Sequence, residues 1–268
     1  MNHPLEPTLC AYVDVLGISQ TIEKAYSAGE EGKLLRSLSE TLTESTARMR
    51  QAADNLCRLK VKFFTDNLIV AYSVMVPTTD LIHLCELLAQ YQLSMALSNG
   101  LFLRGGISLG TMAFDEGMMI GDCLLKAHQL EKTTASTPRI IIDDKLKDVI
   151  TKQRSLLDRT WQSTLDSRLL CDSDGYFFVN YLHALYQPKV LTSMVLEVNE
   201  DQLSAHRQLV ERSLGERRLN PHIWYKYFWV ANYHNYFCDA NGQARHKIPG
   251  NLLLPQPTKL APSQGSKT

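Results

Sequence analysis

The stretch Leu59-Lys60-Val61-Lys62-Phe63-Phe64-Thr65-Asp66-Asn67-Leu68-Ile69-Val70-Ala71-Tyr72 decides how this chain folds. Two apolar runs, Leu59 to Phe64 and Leu68 to Tyr72, flank the polar triplet Thr65-Asp66-Asn67. β-Branched and aromatic residues suit a pleated, half-buried surface, and Asp and Asn tolerate the backbone angles of a tight turn. The segment reads as a β-hairpin with a carboxylate, Asp66, at its tip. A hairpin this apolar needs a sheet to join. Upstream, residues 8–16, Thr-Leu-Cys-Ala-Tyr-Val-Asp-Val-Leu, read as a buried first strand interrupted by Asp14.

Between these strands, Gly17-Ile18-Ser19 turns into a helix of about two turns that Gly29 and Gly32 end. A long amphipathic helix follows, with Leu35, Leu38, Leu42, Met49, Ala52 and Leu56 on one side. Beyond the hairpin, Asp80 is placed to cap a helix whose buried stripe is Leu81, Leu84, Leu88, Tyr91 and Met95, stopped by Asn99-Gly100. Leu101 to Gly110 is a strand bent at its glycines. Six of the 14 glycines lie between 100 and 121, which marks close backbone approach and a place for a ligand. A helix over 122–134 and a strand over 139–143 complete a core expected to span residues 1–150. Strand, helices, hairpin, helix, strand is the order of an α+β protein, an α/β sandwich with a mostly antiparallel sheet.

After residue 150 the pattern changes. A strand is expected over 175–181 and helices over 200–217 and 221–237, forming an extension, 151–248, packed on the core. Eight of the 22 aromatics fall between 224 and 237. Trp224, Tyr227, Phe228, Ala231 and His234 have helical spacing, as in a helix docked on a sheet; a dimer contact is the alternative. Residues 249–268 hold four of the ten prolines and no periodic pattern, and read as a disordered tail.

Composition bounds the function. The 268 residues carry 28 Lys+Arg against 28 Asp+Glu, so the net charge is zero and a nucleic-acid polymer is a poor partner. Hydrophobic residues at 44% with charged residues at 21% argue for a folded chain. Six dispersed cysteines with no CxxC pair read as reduced core residues. With no signal peptide and no membrane span in sight, the expected location is the cytoplasm, with no membrane partner. None of the eight histidines forms an HExxH or HxH pair, which argues against a zinc hydrolase. Gly105, Gly106 and Gly110 form neither a P-loop nor a dinucleotide fingerprint.

Asp14 and Asp66 stand out because both sit in apolar surroundings. Taken singly, each also reads as an ordinary cap or turn residue. If the first strand lies beside the hairpin, both carboxylates reach one sheet edge, where a pair can hold two divalent ions against a triphosphate.

Four motifs in order resemble the class III nucleotidyl cyclases. They are Ala11-Tyr12-Val13-Asp14-Val15-Leu16-Gly17-Ile18-Ser19, Lys62-Phe63-Phe64-Thr65-Asp66-Asn67, Arg104-Gly105-Gly106-Ile107-Ser108-Leu109-Gly110, and Ile120-Gly121-Asp122 through Ala127 to Leu130-Glu131. The resemblance covers about residues 8–143 and implies a ferredoxin-like cyclase core. It implies that Asp14 and Asp66 are the catalytic acids, ligating two Mg²⁺ or Mn²⁺ ions with the carbonyl of Val15. The amides of Leu16, Gly17, Ile18 and Ser19 would cradle phosphates, Lys62 would read the base, and active sites would form at the interface of a homodimer.

The departures are specific. The family usually carries Asn four residues and Arg eight residues after the glycine matching Gly121; here Leu125 and Gln129 stand there. Met118 replaces a purine-reading Asp or Cys. Lys126 is the nearest substitute cation, although one helical residue turns its direction by about 100°. Within the family, these departures, with Asp174-Gly175-Tyr176-Phe177-Phe178 and Lys226-Tyr227-Phe228-Trp229-Val230-Ala231-Asn232-Tyr233-His234-Asn235, resemble the bacterial pyrimidine cyclases of Pycsar antiphage defence. That resemblance implies a uridylate or cytidylate cyclase acting on UTP or CTP, with a separate effector that reads the cyclic product. The alternatives are an adenylate or guanylate cyclase with an unusual base pocket, and a catalytically silent cyclase-fold module.

Overall fold

A computed structural model describes residues 5–54, 58–64, 66–114, 118–188 and 195–253. Its centre is strand β1 (Glu6–Val15). Leu9, Ala11, Val13 and Val15 alternate into the main core, while Cys10 joins a smaller cluster on the opposite face. Helices α1 (Ile18–Ala28) and α2 (Glu31–Asp54) follow, then β2 (Leu59–Phe64) and β3 (Asn67–Ser73), the expected hairpin. Thr65 of its turn lies outside the described residues. Next come α3 (Pro77–Asn99), β4 (Leu103–Phe114), β5 (Met119–Gly121), α4 (Asp122–Thr133) and β6 (Ile140–Ile142).

The sheet is mixed but mostly antiparallel, as expected. β1 pairs antiparallel with β3 and with β4, and only β4 and β6 run parallel among the described strands. Downstream, α5 (Asp144–Arg154) and α6 (Arg159–Arg168) lead to β7 (Leu169–Cys171) and β8 (Phe177–Val179). These last two join the same sheet, whose order is β2-β3-β1-β4-β6-β8-β7, with β5 paired to β4. The region after 150 therefore completes the sheet as well as covering it. The strand expected over 175–181 is shorter, because Tyr181–Leu185 winds into a 3₁₀ turn.

Helix ends depart from expectation in two places. α1 runs 11 residues to Gly29, whose φ of 66° closes it; Gly32 lies inside the first turn of α2 and ends nothing. α3 starts at Pro77, so Asp80 sits inside its first turn. Its carboxylate reaches back to the amides of Met75 and Val76 at 2.7 and 2.8 Å and binds Arg58 at 2.9 Å. The expected stripe of α3 is fully inside, from Leu81 to Met95. That of α2 is looser: Leu35 is 57% exposed, and the side chains of Leu42, Met49, Ala52 and Leu56 lie outside the description.

A short ribbon, β9 (Tyr186–Pro188) with β10 (Leu196–Val198), precedes α7 (Glu200–Glu216) and α8 (Pro221–Ala240). Tyr227, Val230 and Ala231 of α8 pack with Ala96, Phe102 and Leu209, and His234 is buried. The Tyr181 hydroxyl, His206, His234 and the carbonyl of His246 form a hydrogen-bond chain of 2.8, 3.0 and 2.9 Å. Of the tail, α9 (Gly250–Leu253) is helical, and residues 254–268 lie outside the description. Cys10, Cys85, Cys123 and Cys238 are buried free thiols and Cys171 is exposed; Cys57 is outside the description. Among the described residues no helix is long and apolar enough to cross a membrane.

Candidate active site

Sheet register brings the two acidic segments together. Asp14 lies opposite Asn67 on β3 and opposite Arg104 on β4. The amide of Val15 donates to the carbonyl of Asp66 at 3.3 Å, so the hairpin tip closes onto the end of β1. The Asn67 amide group donates to the Asp66 carboxylate at 2.9 Å. Directly opposed residues of paired strands share a face, so Asn67, Asp14 and Arg104 form one cross-strand row. The neighbouring row on that face is Lys62, Ile69, Tyr12 and Gly106. Lys62 thus faces the same side as Asp14, two strands over and two residues along.

Gly106 explains what covers this face. A Cβ there would meet Leu130 Cβ at 2.5 Å and the Ala127 carbonyl at 2.6 Å. The bare backbone lets α4 lie directly on β4, with Ala127 fully buried. One turn beyond Ala127, Glu131 comes onto the same side of the helix. Arg104 then bridges two carboxylates, with Nε 2.9 Å from Asp14 and Nη2 2.7 Å from Glu131. Glu131 is only 5% exposed. Burial raises its pKa above the ordinary carboxylate range; Arg104 opposes that, and Asp14 and Asp66 reinforce it. The Tyr12 hydroxyl is raised by burial and by the charges of Glu131, Asp14 and Asp66. Three carboxylates, Asp14, Asp66 and Glu131, thus act on this end of the sheet with Arg104 between two of them.

The turn after β1 presents backbone. Gly17 adopts φ 75° and no side chain caps α1. The first amides of a helix have no intrahelical acceptor and attract anions. Leu16 is different from its neighbours: its amide already donates to Phe102 at 2.9 Å. That leaves Gly17, Ile18 and Ser19 to present N–H groups. Beside them a cavity of about 590 Å³ is lined by Val15, Ile18, Ser19, Asp66, Asn67 and Tyr91, among others.

The structure does not bring Lys126 to these carboxylates. Its ammonium bonds Asp122 at 2.6 Å, and the carboxylates acting on it are Asp122 and Asp143. Lys126, with the amide of Thr111, in turn holds Asp122 well below the usual carboxylate range. Leu125 is 71% exposed and Gln129 is exposed, so neither is engaged in the core. Met118 is likewise exposed. Among the described residues no group of three or more His, Cys, Asp or Glu is arranged around a metal position.

Sequence reasoning passed over Arg104 and Glu131 as site residues, although both lie in the quoted motifs. A charged residue beside two glycines of an apolar strand was the available signal.

No protein-family model matches the sequence, and no curated protein matches it. Among solved structures, the guanylyl cyclase domain of the RhoGC fusion protein from Blastocladiella emersonii is similar at 14% identity and a TM-score of 0.46, over 65% of this chain and 95% of that one. The guanylate cyclase domain of RhGC from Catenaria anguillulae, in complex with GTP, has 14% identity and a TM-score of 0.43, over 65% and 96%. A class III adenylyl cyclase-like ATP-binding protein from Pseudomonas aeruginosa has 14% identity and a TM-score of 0.43, over 54% and 34%.

Proposed function

We propose that this chain is a metal-dependent nucleotide cyclase that converts UTP or CTP to the 3′,5′-cyclic monophosphate and pyrophosphate. The observation carrying this reading is that Asp14 and Asp66 share one end of the sheet, beside an uncapped helix start. Carboxylates there suit hard cations, and backbone amides suit phosphates. The four motifs quoted above supply the reaction class, and their departures favour a pyrimidine over a purine.

The residues fit a divalent cation. Mg²⁺ is commonly held by one or two carboxylates, with substrate phosphates and water completing its shell, so a third protein carboxylate is unnecessary. The charges of Asp14 and Asp66, which add to burial in raising Glu131 and Tyr12, are what such ions would offset. Asp14, Asp66 and the carbonyl of Val15 would hold two Mg²⁺ or Mn²⁺ ions. When bound, these ions would lower the pKa of the 3′-hydroxyl and neutralise the departing pyrophosphate.

The protein's own part is positioning. The amides of Gly17, Ile18 and Ser19 hold the terminal phosphates at the α1 start. Asn67 fixes the Asp66 carboxylate, and Arg104 fixes that of Asp14. Lys62, on the same face, is offered for base recognition. A homodimer would bring a second copy to this end of the sheet, and the cyclic product would be a cytoplasmic second messenger of antiphage defence, read by a separate effector.

The test is product identity with all four nucleoside triphosphates and Mn²⁺. Cyclic UMP or cyclic CMP supports the reading. Conversion of ATP or GTP alone returns the purine alternative, and no product at all favours a silent module.

A further inference from the structure

The two late segments that stand out in the sequence, 174–178 and 226–235, meet in space. α8 lies against β7 and β8, and between them is a cavity of about 420 Å³. That volume falls in the usual range of a small-molecule site. Tyr225, Trp229, Tyr233 and Tyr236 line it from α8; spaced three or four residues apart, they share one face of the helix. Asp172, just after β7, and Phe178 of β8 line it from the sheet. None of these is a residue of the candidate active site.

The aromatic wall is braced. Trp229 and Tyr233 stack with 5.5 Å between centroids, and the Phe178 ring meets both edge-on, at 5.3 and 5.5 Å. Trp229 donates from Nε1 to Asp172 at 2.7 Å, and the Tyr233 hydroxyl donates to Asn180 at 2.6 Å. Their polar ends are occupied, so what they offer a ligand is ring surface. Tyr225 and Tyr236 are 57% and 56% exposed. They stand at the two ends of the row, with ring surface open to a ligand.

Charge decides the class of that ligand. The cavity lining includes one carboxylate, Asp172, and no Lys, Arg or His. Buried Arg139 pairs with both Asp172 and Asp174, so two carboxylates share one guanidinium and negative charge is in excess. Arg139 also holds the Asp174 carboxyl below its ordinary range, which keeps it ionised. The faces of aromatic rings are negative as well. An anion is therefore disfavoured here and a cation favoured. Asp172 has little left to accept with. One of its oxygens takes Arg139 at 2.5 Å and Trp229 at 2.7 Å; the other takes the amide and hydroxyl of Ser173 at 2.7 and 3.3 Å. An ammonium bearing N–H groups would find no open carboxylate oxygen, whereas a quaternary ammonium needs none.

We infer that this cavity binds a quaternary ammonium cation, held by the faces of Tyr225, Trp229 and Tyr236 beside the net negative charge of Asp172 and Asp174. The assignment does not depend on the chemistry at Asp14.

The test titrates the purified chain by calorimetry with choline, with tetramethylammonium, and with the uncharged analogue of choline in which carbon replaces the nitrogen. Tyr225→Ala and Tyr236→Ala are compared with Tyr26→Ala, which removes a tyrosine 64% exposed on α1, outside the cavity. Thermal melting is recorded for each. The wild type is expected to bind both cations, and the uncharged analogue at least about tenfold more weakly. Tyr225→Ala and Tyr236→Ala are each expected to weaken binding about fivefold with melting unchanged, and Tyr26→Ala to bind as the wild type does. A wild type that binds neither cation at millimolar concentration would overturn the inference. So would equal affinity for the uncharged analogue, or undiminished binding in both cavity variants.

Discussion

The amide of Val15 and the carbonyl of Asp66 meet at 3.3 Å, across a gap of 50 intervening residues in the sequence. This contact ties the end of the central strand to the hairpin tip, so that Asp14 and Asp66 lie at the same end of the sheet. Neither carboxylate is required to hold the hairpin together, because β2 and β3 pair along six register positions.

It follows that Asp66→Ala should leave the fold intact while removing turnover. A partly exposed turn residue is expected to change stability by no more than about 0.5 kcal/mol. Loss of a metal-ligating carboxylate is expected to reduce kcat by at least about 10³-fold. Urea unfolding and a pyrophosphate-release assay on the same preparation check both halves. Full activity in this variant would end the two-ion account.

Arg104 is expected to behave in the opposite way. Its side chain is 26% exposed and lies between the more deeply buried carboxylates of Asp14 and Glu131. Arg104→Ala leaves two largely desolvated carboxylates facing each other, at a cost of about 3 kcal/mol. The urea midpoint should fall accordingly, and Arg104→Lys should recover only part of it, since one ammonium does not reproduce two guanidinium contacts.

Gly106→Ala tests how α4 reaches the sheet. The added methyl would sit 2.5 Å from Leu130 Cβ and 2.6 Å from a backbone carbonyl, so the helix has to move. Overpacking of this kind costs about 1–3 kcal/mol. Glu131 would shift with the helix, and the expected result is a lower melting temperature together with reduced turnover.

Much of this architecture is legible in the sequence, and the reasons are local. The hairpin announces itself through two apolar runs around Asp66-Asn67, and α3 through its stripe from Leu81 to Met95. Asp80 shows the limit: an acidic residue near a helix start fits a cap, yet here it reaches back to Met75 and Val76 from inside the first turn. Gly32 shows another, since a glycine reads as a stop even where helix α2 continues through it. The membership of β7 and β8 in the main sheet was hidden because three-residue strands carry almost no periodic signal. At the candidate site, the apolar pattern of the first strand and of the hairpin was legible, but the contact of Arg104 with Glu131 needed three dimensions, because it depends on α4 lying over Gly106.

The buried histidines set a pH dependence. His206 is completely buried, and burial together with His234 holds its pKa well below 6.5; His234 is lowered by burial as well. The unfolded chain therefore binds more protons than the native one once pH falls below about 6.5, so stability declines with acidification. Chemical denaturation at pH 7.5 and pH 5.5 should show a lower midpoint at the acid value. His206→Gln should reduce that difference, and an unchanged difference would place its origin elsewhere.

The central claim is that Asp14 and Asp66 form the centre of a pyrimidine nucleotide cyclase. Its most direct test incubates the purified chain with an equimolar mixture of ATP, GTP, CTP and UTP and Mn²⁺, and identifies the products by mass spectrometry. The account expects cyclic UMP or cyclic CMP with stoichiometric pyrophosphate, both absent in Asp14→Asn. Cyclic AMP or cyclic GMP as the sole product, or pyrimidine product undiminished in Asp14→Asn, would contradict it.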